Sequence, residues 1–442
     1  MTQVVPSGHM ERRSAVMPPG CEIFFPHDPL KIKRAQGQYM FDEDGNRFLD
    51  CINNVCHVGH CHPKVADAVS KQMSILNTNS RFLYDSLPEY LEKLTALFPP
   101  PLKIVYLVNS GSEANDLALR LAFFASGSKD VIALEHAYHG QVTSAFEISH
   151  YKWGLKRPDL QPSYVHIASC PDSYRGKYSH LPPEEVSQAY VSDLDTLIQG
   201  IHAKGKKIGA FIAESAMSCA GQVMMPKGYL ASVYETVRNA GGVCIADEVQ
   251  VGFGRCGDEK WWFFEDENVI PDIVTLGKPI GNGFPMAAVV TTRAIAGAMA
   301  ATGMEQFSTF AGNPVSCMAG LAVIEVLEDE KLRENATVVG DVLLEGFREL
   351  QKKHDIIGDV RGKGLFIGVD LVTDRYTKTP ATNSAKIVVN LMRDRHKIIL
   401  SRDGPYSNVL KLKPPMCFSL EDAKTVLTCL DEVLSDLALK NP

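Results

Sequence analysis

The 442-residue chain reads as an α/β protein with a large, mostly parallel seven-stranded sheet and a smaller α+β unit. Three observations predict this. Seven short apolar runs rich in Val and Ile follow one another from residue 104, with helical stretches between them. That alternation gives parallel strands covered on both faces. Beyond about residue 355 the order changes to paired runs followed by helices, as in a separate small unit.

Residues 1–20 lack the apolar core of a secretory signal, and their proline and glycine suggest a disordered leader. Arg12 and Arg13 beside one acid, Glu11, are at most a faint organelle-targeting feature, so cytoplasm and mitochondrion both stay open. Gln38–Phe41, a turn carrying Asp44-Gly45, and Arg47–Asp50 read as a hairpin. A helical pattern follows Pro63, through Val65 to Leu76. The sheet runs are Ile104–Val108, Val131–Leu134, Tyr164–Ile167, Ile208–Ala213, Gly242–Ala246, Asp272–Leu276 and Met286–Thr291. In the tail, Ile356–Val360 and Leu365–Leu371 flank Arg361-Gly-Lys-Gly364, a helix spans about Ser384–Arg395, and two more runs precede a final helix. We expect residues 1–60 to join the small unit, 61–313 to form the large one, and 314–442 to complete the small one.

Hydrophobic content of 45%, charged content of 22% and a formal net charge of −7 are ordinary for a globular enzyme. No basic run is present, which argues against nucleic acid as a partner. No apolar stretch has membrane-spanning length. Eleven cysteines without a CxxC pair read as reduced thiols.

Chemistry concentrates where apolar runs stop. Lys278 ends the run Asp272–Leu276, and Asp247 ends Gly242–Ala246. Taken singly, the lysine reads as a surface charge and Asp247-Glu248 as a cap, a metal ligand or a solvated turn. Together, an amine and a carboxylate at the mouths of two buried strands suit pyridoxal phosphate. That cofactor needs a lysine to hold it as a Schiff base and an acid to keep its ring nitrogen protonated. Gln250 could bond the ring hydroxyl.

Asn109-Ser110-Gly111-Ser112-Glu113-Ala114-Asn115 joins the first run to an apolar helix. Its small residues at a helix N-terminus could cradle a phosphate; an ordinary turn with Ser112 as N-cap is the alternative. Tyr138, in Ala137–Gly140, could lie on an aromatic ring or be a packed loop aromatic. Cup, aromatic, acid and lysine occur in that order at successive strand ends.

Two other patterns fail on context. Gly252-Phe-Gly254-Arg-Cys-Gly257 matches a dinucleotide fingerprint but follows a broken strand and opens no helix. His57, His60 and His62 crowd one short loop with no second cluster to complete a metal site.

Ser110–Asn115, Asp247–Gln250, Gly277-Lys278 and Thr309-Phe-Ala-Gly-Asn-Pro314 together resemble the class-III aminotransferases, pyridoxal-phosphate enzymes of fold type I. The resemblance runs from Gly59-His-Cys-His-Pro63 to Lys413-Pro-Pro415. It implies Lys278 as the Schiff-base lysine, Asp247 on the pyridine nitrogen and Tyr138 on the ring. It puts Gly111 and Ser112 on the phosphate, with Thr309 reaching it from a second subunit. A homodimer with shared active sites, or a tetramer of such dimers, is therefore expected.

Two departures narrow the reading. Lys411 stands where many amino-acid transaminases of the family carry an arginine for the substrate carboxylate, and Gln141 replaces another arginine of ornithine-type relatives. Lysine does not reproduce the planar arginine fork. Asn77–Arg81, Asp172–Lys177 and Leu410–Phe418 resemble the phospho-lyase branch of the family, although Phe284 stands where that branch suggests histidine. The resemblance implies β-elimination of phosphate from a small phosphorylated amine, with phosphoethanolamine expected. Phosphohydroxylysine, or amino transfer of the alanine–glyoxylate type, are the alternatives. Arg81, Arg175, Lys177 and Lys411 are the candidate cations for the leaving phosphate.

Overall fold

The computed structural model describes residues 7–440. Residues 7–16 form a helix rather than a disordered leader, since no proline interrupts them before Pro18; residues 1–6 lie outside the described residues. Strands β1 (Ile32–Gln36), β2 (Tyr39–Asp42) and β3 (Arg47–Asp50) form an antiparallel meander around the expected hairpin.

The large sheet comprises β4 (Ile104–Val108), β5 (Asp130–Leu134), β6 (Val165–Ala168), β7 (Ile208–Glu214), β8 (Val243–Asp247), β9 (Ile273–Leu276) and β10 (Ala287–Thr291). Its order is β4-β10-β9-β8-β7-β5-β6, and only β10 runs against its neighbours. Alternation along each strand explains its double cover. Val131, Ala133, Ala210, Ile212 and Ile245 pack with the helix Gly111–Ser126. Ile132, Leu134, Phe211, Ala213 and Cys244 pack on the other face, with helices Pro183–His202 and Tyr229–Asn239. In Pro183–His202 the buried Val186, Tyr190, Leu194 and Ile198 recur every four residues, one stripe facing the sheet.

The last third carries β11 (Ile357–Lys363), β12 (Phe366–Asp374), β13 (Thr379–Pro380), β14 (Ile398–Ile399), β15 (Ser401–Asp403) and β16 (Val409–Leu412). An antiparallel sheet runs β11-β12-β16-β15, flanked by helices Leu332–Lys353, Thr382–His396 and Leu420–Lys440. β14 pairs in parallel with β3, so the N-terminal meander and the C-terminal segment share a sheet. Because β4, β5, β7, β8 and β9 all point one way, the loops after them gather at one edge, where ligands of open α/β sheets bind.

Candidate active site

Five strand ends build the site. After β4, Ser110 stays extended and its side chain accepts from Glu113 N at 3.2 Å. Ser110 is therefore the N-cap, not Ser112, which already lies in the first helical turn. The Ser112 hydroxyl instead accepts from Gln141 N at 3.1 Å, tying the turn to the loop after β5. Glycines let three backbones meet here. A Cβ on Gly111 would lie 2.9 Å from Val249 Cγ1, one on Gly277 3.2 Å from Gly111 N, and one on Gly140 2.5 Å from Ser112 Oγ. Close backbone approach at a helix N-terminus makes an anion cradle.

Asp247 ends β8 beside Glu214, its register partner at the end of β7. Both are buried. Asp247 Oδ2 accepts from Asn115 Nδ2 at 2.8 Å and meets His139 Nδ1 at 2.7 Å, while Oδ1 accepts from Val249 N at 3.0 Å. Asn115 Nδ2 also reaches the His139 carbonyl at 2.7 Å. Glu214 accepts from Tyr138 N and Ser218 N, at 3.2 and 2.9 Å. Burial pushes its pKa up, with Asp247 adding to the rise and His139 opposing it.

Lys278 follows β9 through Gly277, with φ near +23°, a conformation a lysine adopts only when its surroundings impose it. Burial lowers its pKa, and Asp247 partly offsets that. Gly111, Ser112, Asn115, Tyr138, His139, Glu214, Asp247, Gln250 and Lys278 line one cavity of about 90 Å³. The Tyr138 ring meets Tyr151 edge-on, centroids 6.1 Å apart.

Lys411 and Lys413 enter from the small sheet. Lys411 Nζ pairs with Asp403 Oδ2 at 2.5 Å, and Asp403 Oδ1 accepts from Tyr151 Oη at 3.1 Å. Burial opposes the Lys411 charge, but Asp403 prevails and its pKa is raised. Its charge also lowers the Lys278 pKa, and Tyr151, bonded to Asp403, is the ring that meets Tyr138. Gln250 Oε1 accepts from Lys413 Nζ.

The remaining residues singled out from the sequence lie elsewhere. Arg175 forks onto Asp370 at 2.6 and 2.8 Å and bonds the Lys378 carbonyl; Lys177 pairs with Asp193 at 2.7 Å. Both line a separate cleft, with Asp172, Arg361 and Lys378. Arg81 is exposed, bonded to Glu305 at 3.0 Å and stacked 3.9 Å over Phe307; Thr309, two residues further along the chain from Phe307, is also exposed. Phe284 packs, half-buried, against the core. Residues 252–256 form successive turns, and no helix follows at Gly257. The three loop histidines diverge: His57 to the Phe253 carbonyl, His60 to Asp50 and His62 to Glu330. No metal-ligating cluster exists among the described residues.

Several site residues were not given roles from the sequence. Glu214 ends an apolar run as Asp247 does, a signal that could have found it. Asn115 is one turn beyond Gly111, so it faces the same cavity. Asp403 carried no local signal, and Lys413 stood in the Lys413-Pro-Pro415 match without a role.

The class-III aminotransferase model matches residues 25–434. The chain belongs to this family. A Drosophila melanogaster relative called alanine–glyoxylate aminotransferase 2-like is 52% identical, over 94% of this chain and 84% of the relative. A Caenorhabditis elegans relative called ethanolamine-phosphate phospho-lyase homolog 1 is 44% identical, over 96% and 93%. The structure of an Arthrobacter phospholyase in complex with phosphoethanolamine superposes with TM-score 0.91 at 36% identity, covering 97% of this chain and 99% of that one. The family cofactor is pyridoxal 5'-phosphate, and the residues present fit it. The glycine-lined cradle suits its phosphate, Asp247 anchored by three donors would hold its ring nitrogen, and the buried His139 Nε2 and Asn115 Oδ1 still lack partners.

Proposed function

We propose that this enzyme eliminates phosphate from phosphoethanolamine, yielding acetaldehyde, ammonia and inorganic phosphate. The observation that carries the reading is the Lys411–Asp403 pair, joined through Tyr151 to Tyr138 of the Lys278 cavity, whose own lining among the described residues holds no arginine. A lysine is a point charge suited to a compact phosphate, not a fork for a carboxylate. The likeness to the phosphoethanolamine-bound phospholyase supports the same substrate class.

Pyridoxal phosphate, when bound, supplies a ring that accepts an electron pair from the carbon next to the substrate nitrogen. Gly111 and Ser112 would take its phosphate, with Thr309 of a second copy completing the cradle. Tyr138 would lie on its ring and Gln250 on its hydroxyl. Asp247, fixed by Asn115, His139 and Val249 N, would hold the proton on the ring nitrogen. Lys278, whose charge burial disfavours, takes the proton from the carbon bearing nitrogen. The adjacent C–O bond then breaks and phosphate leaves with that bonding pair, steadied by Lys411 and by Arg81 reaching in from the second copy. The released enamine adds water and falls to acetaldehyde and ammonia.

The holoenzyme given phosphoethanolamine alone should release phosphate and acetaldehyde in equal amounts, with no 2-oxo acid required. Amino transfer from alanine to glyoxylate without phosphate release would make the enzyme an ordinary transaminase. Preferential phosphate release from phosphohydroxylysine would keep the reaction and change the substrate.

A further inference from the structure

Lys413 is a buried lysine with no acid bonded to it. It is 3% exposed and lies two residues beyond Lys411, just past the end of β16. Its Nζ donates to Ser218 Oγ at 2.8 Å and to Gln250 Oε1. The Ser218 hydroxyl spends its one proton on Gln222 Oε1 at 2.9 Å, so toward Lys413 it can only accept. The main charge effects on Lys413 come from Lys411, Lys278 and Arg255, all cations, which the Cys219 thiol opposes in part. Burial first, then these cations, push its pKa well below the ordinary lysine value. An uncharged amine has two N–H groups, and two acceptors stand here. The count closes without a charge.

The consequence falls on Gln250, which lines the Lys278 cavity. A primary amide whose oxygen is captured from behind must turn its N–H groups the other way. We propose that Lys413 is a positioning residue that locks the Gln250 amide, carbonyl toward Lys413 and N–H toward the hydroxyl oxygen of the cofactor ring. A donor on that oxygen draws electron density from it. The proton which the Lys278 nitrogen shares with that oxygen is then lost at lower pH. Lys413 thus tunes the cofactor without touching it. The inference rests on the cofactor and on Gln250 facing its hydroxyl, and not on which substrate is used.

The test is a pH titration of the visible absorption of the holoenzyme without substrate, which leaves it independent of the phospho-lyase assay. Lys413→Met should raise the midpoint by about one pH unit. Gln250→Leu should raise it equally, and the double variant no further, because the two act as one unit. Lys413→Gln, which keeps an uncharged two-hydrogen donor, should move the midpoint back toward wild type. In turnover, Lys413→Met should lower kcat while KM for phosphoethanolamine stays within about twofold. An unshifted midpoint in Lys413→Met with a raised KM would assign the lysine to the substrate phosphate and overturn the proposal. So would shifts that add fully in the double variant. If Lys413→Met does not fold, Ser218→Ala removes one anchor and leaves the lysine. A smaller shift in the same direction is expected, and a wild-type midpoint overturns the idea.

Discussion

Glu248 stands next to Asp247 in sequence yet faces away from the cavity, accepting from Phe263 N at 2.9 Å and Phe264 N at 3.1 Å. Burial drives its pKa up to about 7, against the hydrogen bonds that lower it. Between the ordinary glutamate value of 4.5 and about 7, the folded protein holds a proton that the unfolded chain has released. Stability must therefore fall as pH rises through that window, by about 3 kcal/mol in all. Glu248→Gln should flatten this limb in denaturant titrations at pH 5, 6 and 7; an unchanged slope would place the proton elsewhere. Lys411 and Arg175 make a second contrast. Lys411→Ala removes the cation near Lys278, and KM for phosphoethanolamine should rise tenfold or more, roughly the loss of one charged hydrogen bond. Arg175→Ala strips a partner from the fully buried Asp370, so it should cost about 3 kcal/mol of stability and leave KM near wild type. Equal KM effects from both would contradict the separation of the two clefts.

Strand ends decide which residues meet, and this explains what could be read from the sequence. The seven sheet strands were legible because Val and Ile on both faces leave continuous apolar runs, and each lies within a residue or two of its expected limits. Six residues singled out there, Gly111, Ser112, Tyr138, Asp247, Gln250 and Lys278, line one cavity because each follows a run that stops. The cap escaped, since two serines flank Gly111 and only backbone geometry tells the last extended residue from the first helical one. The partners of Lys411 and Arg175 escaped for a different reason. Asp403 reaches Lys411 only through the pairing of β15 with β16, and Asp370 meets Arg175 across 195 residues of chain. Neither register is written in local periodicity. The meeting of β9 with the helix Gly111–Ser126 carries its own prediction. Gly277 has φ near −169°, extended backbone that alanine adopts freely, so Gly277→Ala tests space alone. Its methyl would press on Gly111 N and Cα and on Val249 Cγ1, all at 3.2 Å. Overpacking of this kind costs about 1–3 kcal/mol. The loss should appear chiefly as weaker cofactor binding, measured by dialysis against limiting pyridoxal phosphate, with secondary structure intact.

Residues 73–83 and 304–310, which meet where Arg81 contacts Glu305 and Phe307, expose several large apolar side chains. Phe82 is 64% exposed, Leu83 fully so and Phe310 72%, with Met73, Ile75 and Met304 also exposed on the same two segments of chain. Large exposed apolar side chains grouped in this way mark a surface that another protein covers. The same segments carry Arg81 and Thr309, neither of which lines the Lys278 cavity of its own chain. We propose that two copies pair through these segments, each lending Arg81 and Thr309 to the other. Sedimentation should then give twice the chain mass of 48.5 kDa. A Leu83→Asp/Phe310→Asp variant should sediment as a single chain, with weaker cofactor binding and phosphate release reduced by about 100-fold or more, the order expected when phosphate-positioning groups are withdrawn. Thr309→Ala should weaken cofactor binding while leaving the dimer intact. A variant that sediments as one chain yet keeps full cofactor affinity and turnover would mean that each chain completes its own site, and the exposed face would then need another occupant.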